Sequence, residues 1–227
     1  PEYIPIATQV PQAAGMAWSF RLRGLEDRAV LCHLGDGATS EGDFHEGLTF
    51  AGVFDVPVVF LCNNNGYAIS TPRERQSAAG TLAEKAAGYG VDGVRVDGMD
   101  PLAVYQVVRE ALSKAKAPMD DEPRPTLIES VQYRFGAHTT ADDPSRYRDD
   151  AEVERWRQRD PLDRLAGYLQ YEGLLDEDLR DEVGERVAAR VDEAVEAAES
   201  VESRPKQLIE HVYAEPPRRL GEQGEWL

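Results

Sequence analysis

At 227 residues with a formal net charge of −17, the chain is long enough to bury a sizeable α/β core, and its even acidity disfavours nucleic acid and anionic membranes as partners. Lys occurs only at positions 85, 114, 116 and 206, and this Lys-poor, acid-rich composition predicts a halophilic source, where salt screens ordinary surface charge. The two cysteines, Cys32 and Cys62, imply no disulfide framework. Nothing resembles a signal peptide, and no apolar run approaches the roughly 20 residues of a membrane helix, so the expected location is cytoplasmic. The opening PEYIPIATQ has neither Met nor leader and reads as a chain whose N-terminal part is missing or removed.

In chain order, the apolar run at 29–34 (AVLCHL) predicts a strand covered on both faces, with Gly35, Asp36 and Gly37 at its C-terminal end. Ser40, followed by acidic residues, marks a helix start, and Phe44, Leu48 and Ala51 recur at helical spacing as far as Phe54. A second buried strand at 57–62 (PVVFLC) runs into the turn-forming residues 63–66, which completes a βαβ unit. A helix over 82–87, a strand at 94–96, a helix over 101–116 and a strand at 126–131 continue the alternation, with 118–125 as a surface loop. The fold class this predicts is α/β, a doubly wound parallel sheet. Residues 136–150, GAHTTADDPSRYRDD, lack hydrophobic periodicity and are too long for a plain connector, which marks a functional loop.

Beyond Asp149 the pattern turns helical. Asp160 before Pro161 is a cap, Gly173 ends that helix and Asp176 opens the next. Leu179, Val183, Val187, Val191 and Val195 then recur every four residues, predicting one face packed on the body of the protein. The expected organisation is an α/β domain over 1–150 and a C-terminal helical extension over 151–227.

In a βαβ unit the Gly-Asp-Gly turn and the asparagines closing the next strand land on one rim of the sheet, where open α/β folds bind their ligands. Gly35 and Gly37 allow close approach of backbone to a phosphate, and the N–H groups of Ala38 and Thr39 could donate to it. Asp36 would repel that phosphate unless a cation lay between them. A carboxylate with an amide oxygen from Asn65, 29 positions further on, is the hard donor set that Mg²⁺ prefers. His33, mid-strand, reads as a core histidine and His45 as a packing residue. His138 is the one histidine of the polar loop, which Arg146, Tyr147 and Arg148 should tie down through ion pairs with nearby acids.

GDGATSEGDFHEGLTFAG, NNNGYAISTP, VDGMDPLAVY, PTLIE and HTTADDPSRYR closely resemble, in that order, the alpha subunit of the thiamine diphosphate-dependent E1 component of pyruvate and branched-chain 2-oxo acid dehydrogenases. The resemblance runs from residue 2 to the C-terminus. It implies a thiamine diphosphate-binding fold in which Asp36, Asn65 and the Tyr67 carbonyl hold Mg²⁺. Gly35, Gly37, Ala38 and Asn63 would lie near the diphosphate, Ile69 would line the cofactor site, and Ile4 and Ile6 would touch the aminopyrimidine ring. The stretch matching Tyr3, Pro5, Thr8 and Gln9 binds K⁺ in some relatives. His138 would face the cofactor, orienting phosphate or aiding acyl transfer, and Thr139 matches a regulatory phosphoserine of animal enzymes.

The implied activity is oxidative decarboxylation of a 2-oxo acid with acyl transfer to the lipoyl group of a transacylase core. The implied partner is a beta subunit, in an α2β2 assembly, that supplies the activating glutamate. VDGMDPLAVY looks closer to bacterial pyruvate enzymes. The rival readings are an acetoin dehydrogenase alpha subunit and a non-catalytic scaffold subunit.

Overall fold

Four short apolar runs pair into one parallel sheet, as a computed structural model shows, describing residues 5–119, 122–202, 204–210 and 212–225. The strands are β1 (Val30–Gly35), β2 (Val58–Asn64), the hairpin pair β3 (Tyr67–Ala68) and β4 (Thr71–Pro72), β5 (Asp92–Asp97) and β6 (Thr126–Val131). The helices are α1 (Gln9–Leu22), α2 (Gly42–Val53), α3 (Arg73–Gln76), α4 (Pro101–Lys116), α5 (Asp150–Arg157), α6 (Pro161–Tyr171), α7 (Glu177–Glu199), α8 (Gln207–Glu210) and α9 (Arg218–Gly224). Three 3₁₀ turns join them, at Asp36–Ser40, Ala83–Tyr89 and Pro144–Arg146. None of the described helices is long and apolar enough to cross a membrane.

The sheet order is β1-β2-β6-β5, parallel throughout. Going from β1 to β2 the chain steps one way across the sheet, and from β5 to β6 it steps back. Right-handed crossovers therefore put α2 and α4 on opposite faces. Side-chain alternation along β2 follows: Phe60 and Cys62 join Val10, Phe44, Leu48 and Leu127 on one face, while Val59 and Leu61 join Ala111, Ala115 and Ile128 on the other. This is the doubly wound α/β arrangement that the sequence predicts.

Two expectations fail at the level of local structure. The run at 29–34 is covered on one face only: Cys32 and Leu34 are buried but Leu31 and His33 are exposed. The cause is that β1 is an edge strand, whereas α4 lies over β2, β5 and β6. His33 is accordingly no core histidine. The helix expected over 82–87 is a 3₁₀ segment, Ala83–Tyr89, pinned at its start by the Glu129 carboxylate and ended by Gly90 in the left-handed region at φ +69°. So short a span gains little from α-helical propagation.

By contact density the chain divides into Pro1–Leu169 and Gln170–Leu227. The first unit extends past the polar loop because Trp156 stacks on Tyr133 with ring centroids 5.3 Å apart. Arg164 also binds Asp97 at 2.9 Å, Asp100 at 3.0 Å and the Met99 carbonyl at 2.9 Å. In the second unit α7 starts as predicted, with Asp176 accepting from the Leu179 N–H at 2.8 Å after Gly173 at φ +69°. The rest of that unit leaves the apolar face of α7 uncovered.

The packing of α1 on α2 depends on Gly47, where a Cβ would come within 2.7 Å of Val10 Cγ1 and 2.8 Å of the Pro11 backbone nitrogen. Gly47→Ala should therefore cost about 1–3 kcal/mol, seen as a fall of roughly 2–10 °C in Tm. Gly15→Ala, where a Cβ meets nothing within 4 Å, should be neutral or stabilising by up to about 1 kcal/mol. Equal thermal stability of the two variants would contradict this packing.

Candidate functional site

The candidate site forms where β1, β2 and β6 end. Register places Gly35 beside Asn63, and Asn63 beside Ser130. After Gly35 the chain turns through a 3₁₀ segment, not directly into the α-helix expected at Ser40. The Thr39 hydroxyl donates to the Asp36 carbonyl at 2.8 Å, Lys85 Nζ donates to the Thr39 carbonyl at 2.6 Å, and Ser40 Oγ donates to the Gln76 carbonyl at 3.2 Å. Ser40 is thus engaged elsewhere, and α2 begins only at Gly42 with Glu41 as its cap residue. Ala38 and Thr39 sit in the 3₁₀ turn, before the α2 N-terminus.

The two glycines flanking Asp36 answer different needs. A Cβ on Gly37 would lie 2.7 Å from Ala68 Cβ, so the hairpin can press on the turn only if residue 37 is glycine. A Cβ on Gly35 would meet nothing within 4 Å, which leaves that side of the rim open.

Asp36 is only 2% exposed. Burial pushes its pKa above the ordinary carboxylate value, an effect partly offset by the Gln76 amide, the backbone N–H groups of Asp36 and Gly37, and the more distant charge of Arg134. Gln76 Nε2 donates to Asp36 Oδ2 at 2.8 Å. The carboxylate is therefore taken out of water with neutral hydrogen-bond donors around it.

The asparagines after β2 divide their work. Asn63 turns with Leu61 to the α4 face, where both line a groove with Tyr105, Ser130 and Gln132. Asn64 donates to Glu129 Oε1 at 2.7 Å and accepts from the Gly66 N–H at 3.1 Å. Asn65 Oδ1 accepts from the Tyr67 N–H at 3.1 Å. Both acceptors shape a turn through Gly66, whose φ of +87° suits glycine. Sequence reading missed Glu129, whose signal is a lone acid inside the buried strand run PTLIE. It is 1% exposed and also accepts from the N–H groups of Leu82 at 2.9 Å and Ala83 at 3.1 Å.

Beyond the turn, Tyr67 is buried against Tyr133 and Tyr147 and donates to Glu152 at 3.1 Å. Burial, then the Glu152 carboxylate, raises its phenol to about 12. Ile69 is 57% exposed and holds φ +56°, a left-handed conformation that costs a β-branched residue about 1–3 kcal/mol. Its carbonyl accepts from Arg134 Nη2 at 2.6 Å. Arg134, also missed from sequence, is a cation at the end of β6 that reaches the Tyr147 hydroxyl at 3.0 Å and lies 3.5 Å from His138 Nδ1. The structure thus brings Ile69 and His138 to one guanidinium.

The polar loop is held differently from expectation. Arg148 donates to the Arg134 and Phe135 carbonyls, and the Tyr147 hydroxyl donates to Asp142 Oδ2 at 2.6 Å. Among the described residues no ion pair involves Arg146 or Arg148. Backbone carbonyls exposed where β6 ends outcompete the solvated acids as acceptors. The His138 N–H donates to the same Asp142 oxygen at 2.8 Å, and His138 itself is exposed.

At the N-terminus, Ile4 and Tyr3 lie outside the described residues. Ile6 is exposed, Thr8 precedes α1 without a side-chain cap bond, and Gln9 Nε2 donates to the His33 carbonyl at 3.0 Å. Among the described residues no group of three or more His, Cys, Asp or Glu could hold a metal, so a cation at this rim would rely on amide and carbonyl oxygens beside Asp36. Burial pushes both thiols up, Cys32 to about 11, which leaves neither as a thiolate nucleophile at neutral pH.

The Tyr147 hydroxyl and then the His138 N–H hold the Asp142 carboxyl below the ordinary carboxylate value. A depressed pKa stabilises the loop at neutral pH, and that stabilisation is lost as pH falls through the lowered value. Amide exchange over 136–148, corrected for the intrinsic rate, should quicken several-fold on acidification, and Asp142→Asn should show the faster exchange already at neutral pH. Exchange indifferent to both changes would contradict this role for Asp142.

The sequence profile described as "Dehydrogenase E1 component" matches residues 1–207. The protein named pyruvate dehydrogenase E1 component subunit alpha in Staphylococcus aureus strain Mu50 is 45% identical over 224 residues, covering 98% of this chain and 59% of the relative. The protein of the same name in Staphylococcus epidermidis strain RP62A is 44% identical over the same length and shares. The chain therefore spans 59% of the length of these curated relatives.

Proposed function

The chain belongs to the dehydrogenase E1 component family, and from that premise we propose that it supplies the diphosphate- and magnesium-binding half of a thiamine diphosphate site. The observation that carries this reading is Asp36: a buried carboxylate with neutral hydrogen-bond partners, at the C-terminal rim of a parallel sheet, beside a glycine that leaves the rim open. Such a carboxylate favours a bound cation, and with Asn65 Oδ1 and the Tyr67 carbonyl it offers the oxygen donors suited to Mg²⁺. Gly35, Gly37, Ala38 and Asn63 border the diphosphate, and Ile69 and Ile6 are exposed apolar groups for the ring system. A K⁺ ion near Pro5, Thr8 and Gln9 belongs to the same reading, supported by the match of that stretch alone.

Thiamine diphosphate, when bound, supplies the nucleophilic carbon and electron sink on which a 2-oxo acid loses CO₂. This chain's own contribution is anchoring and orientation. Asp36 offsets the cation's charge, Arg134 fixes the strained Ile69 carbonyl, and His138 on the tethered loop orients phosphate or aids passage of the acyl group to a lipoyl arm. The activating glutamate comes from a beta subunit, in an α2β2 assembly that serves a lipoyl-bearing transacylase. Pyruvate is the first substrate to test, since the relatives above carry pyruvate dehydrogenase in their names.

The test is turnover of the alpha–beta complex on pyruvate, 2-oxoisovalerate, 2-oxo-3-methylvalerate and acetoin, with calorimetric titration of thiamine diphosphate and Mg²⁺. Asp36→Asn should weaken cofactor binding by more than the roughly 10–100-fold lost when a residue that only supports a metal ligand is changed, and the alpha chain alone should be inactive. Decarboxylation by the single chain, or full cofactor affinity in Asp36→Asn, would refute the reading. Turnover of acetoin alone would replace the substrate class.

A further inference from the structure

Gln76 attracts no attention in the sequence, yet it is the side chain that touches Asp36. It closes α3, the four-residue helix after the hairpin. Its Nε2 donates to Asp36 Oδ2 at 2.8 Å and to the Thr71 carbonyl at 2.9 Å. Both N–H bonds are spent on acceptors, which fixes the amide orientation, because a flipped amide would set its oxygen against a carboxylate and a carbonyl. Oε1 is left buried without a hydrogen-bond partner, a condition that folded cores avoid. This oxygen lies 3.9 Å from where a Cβ on Gly37 would stand, beside the glycine turn itself. The main chain of Gln76 is also tied to that turn, its carbonyl accepting from Ser40 Oγ at 3.2 Å.

We propose that Gln76 is a positioning residue for the cation site, an inference that rests on the thiamine diphosphate reading above. Its Nε2 holds one Asp36 oxygen and so sets the rotation of the carboxylate offered to the cation. The buried, unpartnered Oε1 is the cost of that orientation, tolerated because it keeps Nε2 on the carboxylate. Gln76 touches neither substrate nor the reacting atoms and acts through Asp36.

The experiment uses the alpha–beta complex with saturating thiamine diphosphate, titrated with Mg²⁺, and with Mn²⁺ for electron paramagnetic resonance. Gln76→Glu keeps the length and replaces the donor by an acceptor, while Gln76→Leu removes both polar atoms. Both variants should lose about 10–100-fold in Mg²⁺ affinity and change the Mn²⁺ spectrum, with the Tm of the cofactor-free complex near that of wild type. Wild-type affinity and an unchanged Mn²⁺ spectrum in both variants would overturn the inference and leave the thiamine diphosphate reading standing. A cofactor-free Tm that falls in step with affinity would also overturn it, since Gln76 would then be merely structural. Failure of the wild-type complex to bind Mg²⁺ with thiamine diphosphate would instead bring down the functional reading, and this inference with it.

Discussion

A carboxylate buried at the end of a strand is costly unless something charged comes to meet it, and the organisation of this rim follows from that constraint at Asp36. The protein answers with neutral donors: the Gln76 amide and the backbone N–H groups of the turn. Around that group the packing is close. Ala68 presses on Gly37, Lys85 caps the turn at Thr39, and Ser40 ties it to α3. These contacts come from three separate stretches of chain, so the carboxylate is held by the fold and not by its own loop.

A second buried acid makes the contrast clear. Glu129 sits deeper in the sheet and is satisfied by Asn64, by the N–H groups of Leu82 and Ala83, and at 3.9 Å by Arg95. Its partners leave it no unmet demand, so it works as a structural bracket between β6, the asparagine turn and the 3₁₀ segment. Two acids of similar burial thus differ in role through their partners. Asp36 meets a neutral amide and backbone N–H groups, whereas Glu129 also has a guanidinium beside it.

Much of this was legible in sequence wherever the signal is local. The β6 run at 126–131, the α4 span at 101–116 and the caps at Asp160 and Asp176 follow from propensity, proline placement and side-chain capping. The placement of Asp36 and Asn65 on one rim follows from βαβ topology. What escaped depends on contacts between distant positions. Gln76 meets Asp36 across 40 residues, Glu129 meets Asn64 across 65, and Arg134 meets Ile69 across 65. The exposure of His33 turned on which strand stands at the sheet edge, and no pattern within 29–34 records that. The 3₁₀ turn that begins at Asp36 leaves no local signal because the acceptor that diverts Ser40 lies in α3.

The proposed role of this chain is to anchor a cation through Asp36 on behalf of thiamine diphosphate. The most direct measurement is a crystal structure of the alpha–beta complex grown with thiamine diphosphate and Mn²⁺, with the metal located by anomalous scattering. The expected result is a metal bound by an Asp36 carboxylate oxygen, Asn65 Oδ1, the Tyr67 carbonyl and diphosphate oxygens. A cofactor bound with its metal away from Asp36 would contradict it.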